Sequence, residues 1–350
     1  MSLNGRGWDE NFAIRGRSNS PIVPRSTGDI IGGGEMDVID LAVAADWEFD
    51  ADFIRLVREA AIRAGLTMRA IWPADLGETV RRLAAGEMDI RFLFDRASAT
   101  SPEFLRLQEF VRGRGRDVLD PVEKLRWASD KATMHLEFIA GGLMTPNTII
   151  LPSFASRDDR GITEADLVPL GSPFVIKPAN TTGGGLGVVK EARTIEAVAA
   201  ARRTYPMDKY LLQERIQPRE ENGKRFWFRG FFILGLVQCA WWDDRTHLYS
   251  EITSDDVDKY GLHALYPIVR RIASVSKLRF FSTEIVRDET GRTIVVDYVN
   301  ESCDMRLQSG HADGVPDALV AAVASRIASF VRDGLLPPGN RMNLKRRGDT

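Results

Sequence analysis

The amino-acid sequence predicts an α/β chain that passes into α+β structure, and three observations carry that reading. Strand and helix signals alternate as βαβαβ over residues 38–94, the order of a small parallel sheet. Antiparallel strand signals separated by amphipathic helices then fill residues 148–299. Two hairpins are marked by turn residues, one around the glycines of residues 183–187 and one at residues 288–291.

The 350 residues, 44% hydrophobic and 27% charged, suffice for two or three cores. Residues 1–35, rich in Gly, Ser, Asn and Arg, lack periodicity and read as a mobile arm. Gly32, Gly33 and Gly34 belong to it, since an acidic stretch separates them from the next strand. Residues 38–44 form a first strand. In "DADFIRLVREAAIRAGL", Phe53, Ile54, Val57, Ala61 and Ala64 make a helical stripe closed by Gly65. Residues 68–71 are a second strand, Leu76, Val80, Leu83 and Ala84 a second helical face, and residues 90–94 a third strand. A parallel sheet takes ligands at the carboxyl ends of its strands, where Asp95, Arg96 and Ser98 sit; an Asp-Arg pair capping the next helix explains the same residues.

Ser129 and Asp130 cap a helix carrying Ala132, Leu136, Ile139 and Ala140 and stopped by Gly141-Gly142. Residues 148–151 form a strand, Ile195, Val198, Ala199 and Arg202 a helical face, and "YLLQERI" another strand. "KRFWFRGFFILGLVQCAWW" opens a second antiparallel region, interrupted by Gly235. One helix is expected over residues 254–278, with Val257, Leu265, Ile268, Val269 and Ile272 inward. "FFSTEIV" and "TIVVDYV" pair as a hairpin. Residues 316–331 make a last amphipathic helix, with Gly334 after its end.

"FVIKPANTTGGGLGVV" is strand, glycine loop, strand. The Walker pattern needs Gly-Lys-Ser/Thr at its close, and the dinucleotide pattern needs a different glycine spacing; neither is met. What remains is a loop whose backbone N–H groups can fold over phosphate oxygens, with Thr181 and Thr182 adding hydroxyls and Lys177 an ammonium. A plain hairpin turn requires only one or two glycines, so three in succession argue against that simpler reading. A phosphate cradle calls for a divalent ion and carboxylates to hold it. Period two puts Glu284 with Ser282 and Val286, and Asp297 with Val295 and Val299. If those faces coincide, two acids meet in apolar surroundings, costly unless a cation neutralises them.

In this combination the sequence resembles the ATP-grasp superfamily: Lys131 in "SDKATMHLEFIAGGLMTPNTIIL", Lys177 before the glycine loop, "YLLQERI", Arg229 in "RFWFRGFFILG", and the acid pair followed by Asn300. The resemblance spans about residues 120–310. It implies two α+β lobes enclosing ATP, preceded by a small βαβ domain. The expected divisions are an arm at 1–35, an N-terminal α/β domain at 36–120, a lobe with lysines and glycine flap at 121–216, a lobe with the metal site at 217–335 and a basic tail at 336–350. Carried over residue by residue, Lys131 and Lys177 grip phosphates and Gly183, Gly184 and Gly185 resemble the mobile flap. Gln213, Glu214, Arg215 and Ile216 correspond to the adenine stretch between lobes, and Arg229 to the arginine that steadies the transferred phosphoryl. Glu284, Asp297 and Asn300 look like the ligands of Mg²⁺, or Mn²⁺ in its place. The usual spacing of the second acid and Asn is two, whereas here it is three. Period two alone turns Asn300 away from Asp297; a bulge restores it, and Glu301 or Asp304 are the other candidates.

The resemblance implies a ligase that converts a carboxylate to an acyl-phosphate with ATP and joins it to an amine, the acceptor being a small molecule or a peptide. Arg306 and Arg96 are candidates for clamping the substrate carboxylate. Cys239 and Cys303 offer no disulfide framework or metal knuckle. A net charge of -2 argues against nucleic acid. No apolar run is long enough for a membrane span and no signal-peptide pattern is seen, so a cytoplasmic protein is expected; a homodimer is compatible with the resemblance. His135, four residues past Lys131, shares its helix face. Trp227, Trp241 and Trp242 read as packing residues. A small-molecule kinase, an ATP-binding protein without catalysis and an interaction module remain open as other functions.

Overall fold

A computed structural model describes residues 36–156, 161–181 and 185–336 of the chain. The arm at 1–35, the tail from residue 337, and Thr182, Gly183 and Gly184 lie outside the described residues. The expected first strand divides into β1 (Asp37–Ile39) and β2 (Leu41–Ala44). The cause is Asp40, whose carboxylate accepts from the Thr67 N–H at 2.9 Å and hydroxyl at 3.0 Å and from Arg91 at 2.8 Å. Arg91 in turn interrupts the expected strand at 90–94. The chain there forms β4 (Met88–Ile90), which pairs with β1 as a separate ribbon, and β5 (Phe92–Asp95).

With β3 (Met68–Ile71) and β6 (Asp117–Leu119), the inner strands make a four-stranded parallel sheet in the order β3-β2-β5-β6. All four residues of β2 are buried, as a central parallel strand requires. The crossovers are α1 (Ala51–Arg63), α2 (Pro73–Ala85) and α3 (Leu105–Gly113). Phe53, Ile54 and Val57 of α1 pack with Val320, Val323 and Ile327 of the last helix in one cluster, while Leu83 and Leu107 help cover the other face. Ala84 is exposed rather than inward.

After α4 (Val122–Ser129) comes α5 (Lys131–Ala140), capped by the Asp130 carboxylate on the Thr133 N–H at 3.0 Å. Its buried residues are Ala132, Met134, His135 and Phe138, whereas Leu136 and Ile139 are 60% and 54% exposed. The expected stripe was rotated because His135 goes inside, where Tyr298 bonds it. Four antiparallel strands follow in the order β7-β10-β8-β9: β7 (Thr148–Leu151), β8 (Phe174–Pro178), β9 (Val189–Ala192) and β10 (Tyr210–Glu214). They carry α6 (Glu164–Leu167) and α7 (Ile195–Thr204).

The ribbon β11 (Glu220–Glu221) and β12 (Lys224–Arg225) leads to a five-stranded antiparallel sheet, order β15-β14-β13-β16-β17. Its strands are β13 (Trp227–Ile233), β14 (Leu236–Trp242), β15 (Tyr249–Glu251), β16 (Phe280–Arg287) and β17 (Thr293–Asn300). The expected single helix over 254–278 is two, α8 (Ser254–Tyr260) and α9 (Leu265–Ser276), broken where Gly261 adopts a left-handed φ of 60°. Phe228, Phe281 and Ile285 face α9, while Phe231, Ile233 and Phe280 face the first core and α10 (Asp317–Leu335). Gly334 lies inside α10 rather than after it. No described helix is long and apolar enough to cross a membrane.

Candidate active site

Halfway along β13 and β16, the sheet face that packs Phe231 and Phe280 against the first core turns polar. Arg229 stands opposite Glu284, and Glu284 opposite Asp297, so three charged residues form one row across β13, β16 and β17. Directly opposed residues in antiparallel strands point the same way. The β16–β17 ladder achieves this against period two. Ile285 pairs with Val295, Glu284 with Asp297 and Ser282 with Asn300, so β17 carries extra residues on either side of Asp297. The second bulge sends Tyr298 and Val299 together into the apolar cluster under the sheet. Asn300 thereby returns to the face of Asp297 despite the spacing of three.

The two oxygens of Glu284 have different partners. The Arg229 guanidinium lies 3.1 Å from Oε1, and the Trp227 indole N–H donates to Oε2 at 3.1 Å. Even so, burial pushes the Glu284 pKa up; Arg229 opposes that shift and Asp297 adds to it. Burial works against the charge on Arg229, yet Glu284, Tyr249 and Asp297 raise its pKa overall. The guanidinium also stacks 4.7 Å from the Trp242 ring centre, and its Nε is buried without an acceptor among the described residues.

Lys177 enters from the other sheet. It stands in β8 between the buried Ile176 and Pro178, and its ammonium donates at 2.9 Å to the carbonyl of Val296, the bulge residue beside Asp297. It also lies 5.7 Å from the Tyr298 ring centre. Burial lowers the Lys177 pKa, Asp297 and Glu284 resist, and Lys131 adds to the lowering. Lys131 is the first residue of α5, its N–H held by the Ala179 carbonyl at 3.1 Å. Glu301 is pushed up by burial, against the pull of Lys131. Lys177 thus lies close enough to Lys131, Glu284 and Asp297 for their charges to act on it, with Arg229 paired to Glu284.

Beneath it runs a polar chain. The Gln213 side-chain amide donates to the Tyr298 hydroxyl at 2.7 Å, and Tyr298 meets His135 Nδ1 at 2.8 Å. Burial, with Lys177 second, lowers the His135 pKa to about 4, so the ring is neutral. Burial raises the Tyr298 pKa.

The remaining sequence candidates divide. The base of the glycine loop is held by Asp208, which accepts from the N–H groups of Asn180 and Thr181 and from both side chains. Gly185 and Gly187 have φ of 75° and 72°. Gln213 is buried, Glu214 lies 3.3 Å from Arg292, Arg215 pairs with Glu191 at 2.7 Å, and Ile216 packs with Val286 and Ile294. Arg306 is clamped between Asp304 and Asp313 at 2.6 and 2.9 Å. Arg96 is buried in a bidentate pair with Asp50, at 2.8 and 2.7 Å, and donates to the Cys303 carbonyl at 3.0 Å. It is a structural tie, not a free carboxylate clamp. Asp95 accepts from the N–H groups of Ala97 and Ser98 in the turn after β5 and caps no helix. Burial raises both thiols to about 12, so neither cysteine is poised as a nucleophile.

Sequence reasoning missed Trp227 and Tyr298 as polar partners and Asp208 as the loop anchor. Trp227 had a signal, since it lies two residues before Arg229 and so shares its face. Among the described residues no three His, Cys, Asp or Glu side chains converge as a metal centre. An ion here would rest on two carboxylates and the Asn300 amide oxygen. Those are hard oxygen donors of the kind Mg²⁺ takes, and the buried, mutually repelling acid pair fits one.

No protein-family model matches the chain, and no curated protein does. Solved structures do. A RimK domain ATP-grasp protein from Sphaerobacter thermophilus is 23% identical, with TM-score 0.58 over 83% of this chain and 98% of that one. The D-cycloserine synthetase DcsG is 14% identical, with TM-score 0.55 over 84% and 99%. The D-alanine–D-alanine ligase of Bacillus anthracis, solved with ATP, is 14% identical, with TM-score 0.54 over 86% and 100%. Likeness at this identity speaks for architecture, and the architecture is the ATP-grasp fold.

Proposed function

We propose that the chain is an ATP-dependent ligase that activates a carboxylate as an acyl-phosphate and joins it to an amine. The observation that carries this reading is the grouping of Lys177 and Lys131 with the row Arg229, Glu284 and Asp297. Three cations and two acids, from two sheets and helix α5, suit a polyphosphate and its counter-ion better than they suit each other. Structures of the same fold include enzymes whose names are ligase and synthetase, one of them solved with ATP.

In this reading the substrate carboxylate takes the γ-phosphoryl group, ADP leaves, and the amine attacks the acyl carbon and expels phosphate. Lys177 and Lys131 hold phosphate oxygens, and Arg229, with an unused N–H and a fixed orientation on Trp242, stabilises charge that grows on the transferred group. Bound Mg²⁺ or Mn²⁺, held by Glu284, Asp297 and Asn300, supplies charge neutralisation at the phosphates. His135, buried, neutral and bonded to Tyr298, is not set up as the general base that phosphoryl transfer to a hydroxyl would need. Asp208 keeps the loop strand entry in place beside Lys177.

The test is to mix protein and Mg-ATP with paired panels of small carboxylates and amines, including amino acids and short peptides. ADP and phosphate should appear in equal amounts only with a matched pair. Release of AMP, or a phosphorylated hydroxyl product formed without an amine, would place the protein in another reaction class.

A further inference from the structure

The indole of Trp227 does more than pack. Trp227 and Arg229 alternate onto one face of β13, and both reach Glu284, the indole to Oε2 and the guanidinium to Oε1, each at 3.1 Å. The two donors differ in kind. Arg229 compensates charge, whereas the neutral indole N–H contributes direction and almost no field, and its ring cannot swing because it is packed with Ile216, Val286 and Ile294 and lies 6.2 Å, centre to centre, from Trp242. A carboxylate that accepts the indole N–H on one oxygen and meets a guanidinium ion pair at the other is restrained in its plane, on the same sheet face as Asp297, the residue directly across the ladder.

We infer that Trp227 is a positioning residue that orients Glu284 as a metal ligand. The inference rests on the ligase reading only in taking Glu284 and Asp297 as the metal carboxylates. Outer partners of metal ligands typically contribute about 10- to 100-fold in affinity, and they do so without touching the ion.

The experiment measures Mn²⁺ binding to the full chain in the presence of a non-hydrolysable ATP analogue, by the loss of free-Mn²⁺ electron paramagnetic resonance signal. Trp227→Phe keeps the ring packing and removes the N–H. Its Mn²⁺ affinity should fall about 10-fold with the thermal midpoint nearly unchanged. The same substitution in a Glu284→Gln background should have no further effect, because the indole acts through that carboxylate. A second readout needs no metal: the ¹⁵N–¹H indole resonance that disappears in Trp227→Phe should move in Glu284→Gln. Wild-type Mn²⁺ affinity in Trp227→Phe, equal losses in both backgrounds, or an indole resonance indifferent to Glu284 would overturn the inference. A wild-type chain that binds no Mn²⁺ at all, yet shows the indole shift, would instead remove the metal reading and with it the role assigned here.

Discussion

His135 is the residue whose placement the sequence argues against most strongly. Leu136 and Ile139 beside it are apolar and exposed, while the imidazole is 4% exposed. Tyr298 and Gln213 decide the matter by offering a complete hydrogen-bond chain, something residue type alone does not disclose. The consequence is a pH dependence. Burial, then Lys177, lowers the His135 pKa from 6.5 to about 4. The unfolded chain therefore takes up a proton that the folded chain refuses. The stabilisation is complete above about 6.5 and is lost progressively as pH falls toward 4. His135→Asn, which keeps an acceptor for Tyr298 but does not titrate, should lose less stability across that window, by up to about 1 kcal/mol per pH unit. Urea denaturation between these pH values measures it, and equal slopes for the two proteins would contradict the assignment. Lys177, Glu284 and Asp297 were legible as candidates because ammonium and carboxylate groups beside or inside apolar strands have few reasons to be there, whereas Arg229 was legible only through the resemblance. Their coming together was not legible, since it depends on how two sheets meet.

Among the elements, the hairpin of β16 and β17 was readable from its alternation and its turn, but its two register shifts were not. Bulges alter which face a residue takes without altering composition, and only the spacing of Asp297 and Asn300 hinted at one. The α8–α9 break was within reach, since Gly261 interrupts the pattern; the split of β1 from β2 needed the long-range contacts of Asp40. One glycine inside a strand is explained by packing. A Cβ on Gly230 would lie 2.6 Å from Val269 Cγ2, so α9 presses directly on β13 next to Arg229. Gly230→Ala should cost about 1–3 kcal/mol through displacement of that helix. Chemical denaturation checks it; a variant as stable as wild type would mean that α9 has room to move.

At the scale of the whole molecule, each part is tied to the end of β17. The parallel-sheet region reaches it through the buried Asp50–Arg96 pair and the Cys303 carbonyl. The second sheet reaches it through Lys177 on Val296 and Gln213 on Tyr298. The site is therefore set by three regions converging on one strand, and a shift in any of them moves the acid pair against the lysines. A crystal structure of the protein with Mg²⁺ and a non-hydrolysable ATP analogue tests this arrangement most directly. The triphosphate should contact Lys177 and Arg229, with the ion about 2.1 Å from oxygens of both Glu284 and Asp297. A nucleotide seated away from these residues, or an ion held by neither carboxylate, would contradict it.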